Sequence, residues 1–368
     1  MECGTTSETA VVDGDVQYCP PAYDVPRDSN DGAYVQSFSL DQVEEYKQFF
    51  ERFGFVVIDG VLNEEECAAT LDDIWDYLAR RGWLRANAAK GDKAQAKQQQ
   101  IQRDDPATWN EGWPSLGGSG ILGGAVVWTR RAMLNRQNPN IYQVWSQLLG
   151  KQELMINQDR YGLFRPSRDH PEWQTGFNLH LDMNPWTYLS SSSSSSSSAS
   201  LTYRRDIDFF KENNACFNQE DEIHCQGLLN LIDNREEDGG FIIVPGFKHH
   251  FAEWAESHRL TLAPRYTERQ TFIQLPRGGE IEKRALRVTC RAGSMVVWDQ
   301  RTLHGSAPNS SDRFRGAQFI KLFPAKQLDA TAKEARAKVV GRKVEEANAL
   351  DDLSELGQKL FGLAAWDE

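Results

Sequence analysis

His180-Leu181-Asp182 is the stretch that decides the fold, taken together with the distant run Ser294-Met295-Val296-Val297-Trp298-Asp299 and the His304-Gly305-Ser306 that follows it. In a strand, residues i and i+2 project from the same face. His180 and Asp182 therefore point at one common spot from one short segment. Two histidines and a carboxylate form the facial triad that holds non-haem Fe(II) and leaves coordination positions open. The third ligand must come from a strand brought alongside. His304 qualifies, because it lies just past a run rich in β-formers that follows the turn-like Ala292-Gly293.

Beyond His304 the chain is polar through Asn309 and Arg313 to Arg315, then apolar again at Ala317-Gln318-Phe319-Ile320. An arginine a short strand away from the third ligand suits a carboxylate, because the guanidinium fork binds one bidentately. Ser306 can donate a further hydrogen bond to the same anion. Arg313 and Arg315 sit two apart and share a face of any regular strand, so geometry alone does not choose between them.

Working outward, apolar runs of strand length recur at residues 223–232, 237–244, 271–275, 286–290, 295–298 and 318–323, separated by Gly, Pro, Asn and Asp. That rhythm belongs to an antiparallel sandwich or barrel. Helices cluster on the N-terminal side. Ser39 and Gln42 make a capping-box pattern ahead of the stripe Leu40, Val43, Tyr46, Phe49, Phe50 and Phe53, which Gly54 closes. A second helix is expected from Asn63, with Glu66 three residues on, and a third over residues 133–150. Helices over 330–349 and through Leu353, Leu356, Leu360 and Phe361 end the chain. The expected fold is mainly β with flanking helices, around a double-stranded β-helix (jelly roll, cupin-like) core.

The expected organisation is a flexible lead-in over 1–32, a double-stranded β-helix domain over 33–330, and a helical tail over 331–368. Insertions are expected at about 85–124 and 187–202. The first is Lys/Gln-rich and then Gly-rich; its Trp109 and Trp113 either cover a pocket or dock on the core. The second holds the serine run 190–198, a low-complexity loop. No internal repeat is evident.

Composition bounds the function. With 368 residues, 40% hydrophobic, and with eleven Trp and eighteen Phe, a large core is affordable. The formal charge of −12 argues against a nucleic-acid surface, which needs a basic stripe. The six cysteines show no C-x-x-C and read as free thiols of a reducing compartment. No apolar run reaches the ~18 residues of a membrane span. The N-terminal stretch lacks a signal-peptide pattern and the last residues lack a peroxisomal address, so a cytoplasmic location is expected, with no nucleic-acid or membrane partner.

The other histidines compete poorly as ligands. His249 and His250 are adjacent and would face opposite ways on a strand; they are expected to end a strand and start the helix at Phe251-Ala252-Glu253-Trp254. His224, with Cys225 and Asp221, raises a zinc alternative, but no second pair of finger spacing appears. Gly118-Ser119-Gly120-Ile121-Leu122-Gly123 matches a dinucleotide fingerprint by letter, without the strand that must precede it. No nucleophile elbow or P-loop is present.

At these residues the chain resembles the phytanoyl-CoA dioxygenase family of Fe(II)/2-oxoglutarate oxygenases. The resemblance runs from about Val35 to Pro324. Besides His180-Leu181-Asp182 and His304-Gly305-Ser306, it rests on Gly54-Phe55-Val56-Val57-Ile58-Asp59-Gly60-Val61-Leu62 and on Asp238-Gly239-Gly240-Phe241-Ile242-Ile243-Val244-Pro245-Gly246-Phe247-Lys248-His249. The family commonly reads Pro-Gly-Ser-His where Phe247-Lys248 intervene here. Asn184-Pro185-Trp186 points to a branch other than the acyl-CoA hydroxylase. The resemblance implies iron on His180, Asp182 and His304, with the distal carboxylate of 2-oxoglutarate on Arg315 and Ser306. It implies O₂ as third reactant, succinate and CO₂ as products, and oxidation of a C–H bond of a small molecule. Related iron halogenases leave the carboxylate position empty, so Asp182 implies hydroxylation. The alternatives from other classes are a cupin-like metal enzyme that dispenses with 2-oxoglutarate and a non-catalytic metal-binding protein.

Overall fold

The computed structural model describes residues 18–80, 101–110, 113, 120–191, 201–203, 224–267 and 270–366. Its strands, in chain order, are β1 (Phe55–Ile58), β2 (Ile121–Leu122), β3 (Leu154–Ile156), β4 (Tyr161–Phe164), β5 (Asn178–Leu181), β6 (Leu189–Ser191), β7 (Leu201–Tyr203) and β8 (Cys225–Asn230). There follow β9 (Gly240–Ile243), β10 (Ile273–Gln274), β11 (Leu286–Arg287), β12 (Met295–Asp299), β13 (His304–Ala307), β14 (Arg315–Ile320) and β15 (Leu322–Pro324). The helices are α1 (Val43–Phe53), α2 (Glu64–Arg80), α3 (Arg130–Arg136), α4 (Pro139–Leu149), α5 (Pro185–Tyr188), α6 (Phe251–Ser257), α7 (Ala330–Glu346) and α8 (Glu355–Phe361).

Two antiparallel sheets make the expected jelly roll. One has six strands in the order β1-β12-β8-β14-β4-β2, the other five in the order β10-β5-β13-β9-β11. Sequence-distant strands lie side by side, as the ligand spacing requires: His304 of β13 is the direct cross-strand partner of His180 of β5. Alternation sorts each strand between two environments. Along β5 and β9, Leu179, Leu181, Ile242 and Val244 pack outward onto Phe247, Phe251 and Trp254 beside and within α6. Their neighbours Asn178, His180 and Phe241 face the interior between the sheets. Each fully buried Phe in that outer layer is worth about 1.5–3 kcal/mol relative to leaving it in water. The six-stranded sheet is covered by α2 and α3, where Asn135 Nδ2 donates to the buried Oε1 of Gln318 at 2.8 Å.

Several local expectations shift. Ser39 and Gln42 do bond, the Ser39 N–H donating to Oε1 at 2.9 Å. That contact closes a turn, and the helix begins only at Val43. At Asn63 the box is reciprocal: its N–H reaches Glu66 at 2.9 Å and its Oδ1 takes the Glu66 N–H at 2.8 Å. The helix expected over 133–150 is two helices, because Pro139 carries no N–H and disfavours a helical residue before it; the first ends at Arg136 and the second starts at Pro139. Asn138 caps the second by accepting from the Asn140 N–H. Within the expected insertion, Trp109 and Trp113 dock on Trp75 and Phe314, and Ile121–Leu122 adds an edge strand to the larger sheet. Much of the serine run and the first half of that insertion lie outside the described residues, as does Asp221.

Candidate metal and 2-oxoglutarate site

β5 delivers Asn178, His180 and, one residue past its end, Asp182 to the same face, and β13 opens with His304. One ligand atom from each of His180, Asp182 and His304 lies within 4.8 Å of the others, the sole such cluster of three among the described residues. The Nε2 atoms of His180 and His304 stand 3.7 Å and 3.5 Å from the Asp182 carboxylate. Each Nδ1 is engaged elsewhere. His304 Nδ1–H donates to the Thr302 carbonyl at 2.9 Å, and His180 Nδ1–H to Asn178 Oδ1 at 3.0 Å. Those Nδ1 bonds orient each ring with Nε2 toward the Asp182 carboxylate, the usual arrangement around metal-ligating histidines. Asp182 is held in turn: Gln226 Nε2 donates to its Oδ2 at 2.7 Å, and Trp298 Nε1 donates to Gln226 Oε1 at 3.1 Å.

Electrostatics favour the ligating protonation states. Burial, helped by His304, pushes the His180 imidazole down to about 3, so it is neutral at physiological pH. Burial alone would raise the Asp182 carboxyl; the hydrogen bond and charge of His304, with His180 and Gln226, outweigh it and hold it below the usual carboxylate range. Asp182 keeps 37% of its side chain accessible because it borders an open cavity.

That cavity, about 520 Å³, runs between the sheets. At its inner end stands Arg315, the first residue of β14 and 3% exposed. Burial lowers its guanidinium to about 10, still cationic at neutral pH. It lies over the Phe164 ring at 5.0 Å, and its buried Nε has no hydrogen-bond partner among the described residues. An unpaired buried cation is costly and calls for an anion. Gly240, at φ 91°, makes room: a Cβ there would come within 2.1 Å of Arg315 Nε. Gly305 is required for a similar reason, since its Cβ would meet the Asn178 carbonyl at 2.0 Å where β13 passes β5. Ser306 lines the same cavity.

Arg313, the rival, points away. It pairs with Glu237 at 2.9 Å and Asp238 at 2.8 Å, with 41% of its side chain exposed. His249 Nε2–H donates to the Glu51 carbonyl, 2.8 Å off, and takes no place in the site. His224 is buried beside Lys321 and Arg301, outside the three-residue cluster. Sequence reasoning missed Gln226, Asn178, Phe272, Arg160 and Lys321, all lining the cavity. Asn178 carried a signal, being two residues before His180 on the same face. Gln226 carried none, because its role exists only once β8 lies beside β12.

A jelly roll whose interior brings two histidines, a carboxylate and a buried arginine to one cavity is the frame of an iron- and 2-oxoglutarate-dependent oxygenase. The chain belongs to the phytanoyl-CoA dioxygenase family, whose model matches residues 50–317. It is 33% identical, over 91% of its length and 96% of the relative's, to a Dictyostelium discoideum protein assigned by name to the phytanoyl-CoA dioxygenases. Among solved structures it is similar to the GlcNAc-inducible gene 2 product of Candida albicans, at 11% identity and a TM-score of 0.54, covering 91% of this chain and 81% of that one. It is also similar to the epimerase SnoN, solved with Fe3+, α-ketoglutarate and nogalamycin RO, at 17% identity and a TM-score of 0.45 over 77% of this chain and 84% of that one. The protein is a dioxygenase of this family, with iron(II), 2-oxoglutarate and O₂ as its cofactor set. Among the described residues no helix is long and apolar enough to cross a membrane.

Proposed function

We propose that the protein hydroxylates a small molecule, with iron held by His180, Asp182 and His304 and the distal carboxylate of 2-oxoglutarate held by Arg315 and Ser306. The observation that carries this reading is the pairing of two sites in one cavity: a ligand cluster with both Nε2 atoms turned toward the Asp182 carboxylate, and a buried guanidinium whose Nε has no hydrogen-bond partner among the described residues. Iron with 2-oxoglutarate supplies O₂ activation coupled to oxidative decarboxylation to succinate and CO₂. The chain's own residues do the rest. Thr302 and Asn178 orient the imidazoles, Gln226 fixes the carboxylate, and Arg315 sets the end-to-end placement of the co-substrate. Apolar walls exclude water and aim a C–H bond. Asp182 fills the carboxylate position, which favours hydroxylation over halide transfer.

We take residues 33–330 as the oxygenase domain, since both sheets and the cavity lie within it, and the cytosol as its location, supported by the free thiols of Cys19, Cys67, Cys225 and Cys290. The test is anaerobic titration of the iron(II) protein with 2-oxoglutarate, read by calorimetry and by a weak visible charge-transfer band. Binding with the band is expected. Iron binding without any 2-oxoglutarate binding returns the protein to the cupin-like or non-catalytic class.

A further inference from the structure

The outer end of the cavity carries charge that neither the ligand cluster nor Arg315 uses. β14 sends alternate residues inward: Arg315 at the inner end, then Phe319, then Lys321 just beyond the strand, all on the cavity wall. Lys321 is half-buried, and its Nζ donates to Gln300 Oε1 at 3.3 Å. No carboxylate among the described residues pairs with it. Gln300 in turn reaches the Asp182 carbonyl at 3.5 Å, which ties this ammonium to the metal side of the cavity. The other cation at this end, Arg160, is already matched by Asp159 at 3.0 Å.

Among the described residues, the charges lining the cavity are Arg160, Arg315 and Lys321 against Asp159 and Asp182. Asp159 balances Arg160. A dianionic co-substrate places one carboxylate on Arg315, and its other, with Asp182, balances a divalent metal. Among the described residues one positive charge, Lys321, is left over, in a chain whose formal charge is −12. The cavity wall also has apolar residues, Phe272, Phe319 and Ile121, and the Phe272 ring lies 4.6 Å from that of His180.

We propose that the substrate is a small monocarboxylic acid with an apolar body, its carboxylate received by Lys321 and its body laid along Phe272 and Phe319 toward the ligand cluster. This rests on the oxygenase reading above and narrows its substrate class. A coenzyme A thioester fits poorly, since its several phosphates would face a single uncommitted cation. A cavity of about 520 Å³ already shared with 2-oxoglutarate suits a small acid.

The experiment titrates 3-phenylpropanoate, octanoate and their primary amides into the anaerobic iron(II)–2-oxoglutarate protein, followed by calorimetry. The 2-oxoglutarate isotherm is recorded first. At least one acid should bind about tenfold or more tighter than its amide, the size of a charge-assisted contact in a partly buried site. Lys321→Gln should erase that preference and leave the amide and 2-oxoglutarate isotherms within about twofold; the latter also reports that the variant is folded. Lys321→Arg should restore most of the preference. If no acid binds more tightly than its amide, including no binding at all, or if Lys321→Gln keeps the preference, the inference falls while the oxygenase reading stands. A wild-type protein that fails to bind 2-oxoglutarate overturns both, and does so in the first titration.

Discussion

The two ends of the cavity are built on opposite principles. At the inner end Arg315 is sealed, 3% exposed, over the Phe164 ring and with Gly240 cleared from its path. At the outer end Lys321 is half-buried, Arg160 has 51% of its side chain exposed, and Phe272 stands 47% exposed beside His180. A sealed cation binds one anion of fixed geometry strongly, because no water competes for it. An open, apolar-walled mouth tolerates variety and contributes less per contact. The inner end, the proposed co-substrate site, is therefore the rigid one, and the outer end is the adaptable one.

The ligand cluster lies between the two ends and gives the largest expected effect. His180→Ala, Asp182→Ala or His304→Ala should each abolish stoichiometric iron binding and 2-oxoglutarate decarboxylation. The fold should survive, since these groups border the cavity. His249→Ala should retain iron, its ring being occupied at the Glu51 carbonyl. Metal analysis after anaerobic loading decides. A full iron complement in His304→Ala, with loss in His249→Ala, would reverse the assignment.

Next is the inner cation. Removing a desolvated, charge-assisted partner costs on the order of 2–5 kcal/mol, hence roughly 30-fold or more in 2-oxoglutarate affinity for Arg315→Ala. Arg315→Lys should rescue only part, because the fork is lost. Arg313→Ala should leave the affinity nearly unchanged, as Arg313 is spent on Glu237 and Asp238. Dissociation constants measured side by side are the check, and a larger loss at Arg313 would show that the wrong arginine was chosen. Gln226→Leu should fall lower, at about tenfold in iron affinity, the low end for losing a group that orients a ligand. An unchanged iron constant there would mean that Asp182 orients itself.

How much of this could be read beforehand follows from what each feature depends on. The β5 pair and His304 were legible because strand alternation is local and the metal demands three convergent ligands. The choice of Arg315 over Arg313 came from resemblance; alternation alone could not make it, and the structure separates them by giving Arg313 the Glu237–Asp238 pair. The break at Pro139 was legible in the residue itself, yet apolar periodicity on both sides of it imitates one continuous helix. Gln226, Arg160 and Lys321 stayed hidden, because polar residues flanking apolar runs look like ordinary strand ends until the sheet order is known.

The smallest effect belongs to the mouth. Phe272 precedes the short β10 and sits 4.6 Å from His180, with nearly half its surface exposed. Truncating such a half-exposed ring costs within about 0.5 kcal/mol in the global balance, and it touches neither Arg315 nor the Asn178 and Thr302 bonds that orient the imidazoles. Phe272→Ala should therefore leave iron content full and change the 2-oxoglutarate dissociation constant by no more than about twofold, the equivalent of that energy. The same variant removes apolar wall from the outer end, so any effect should appear with a substrate acid present and be absent in the 2-oxoglutarate titration. If Phe272→Ala weakened 2-oxoglutarate binding to a degree approaching Arg315→Ala, the mouth would be part of the co-substrate site, and the division between a sealed inner end and an adaptable outer one would not hold.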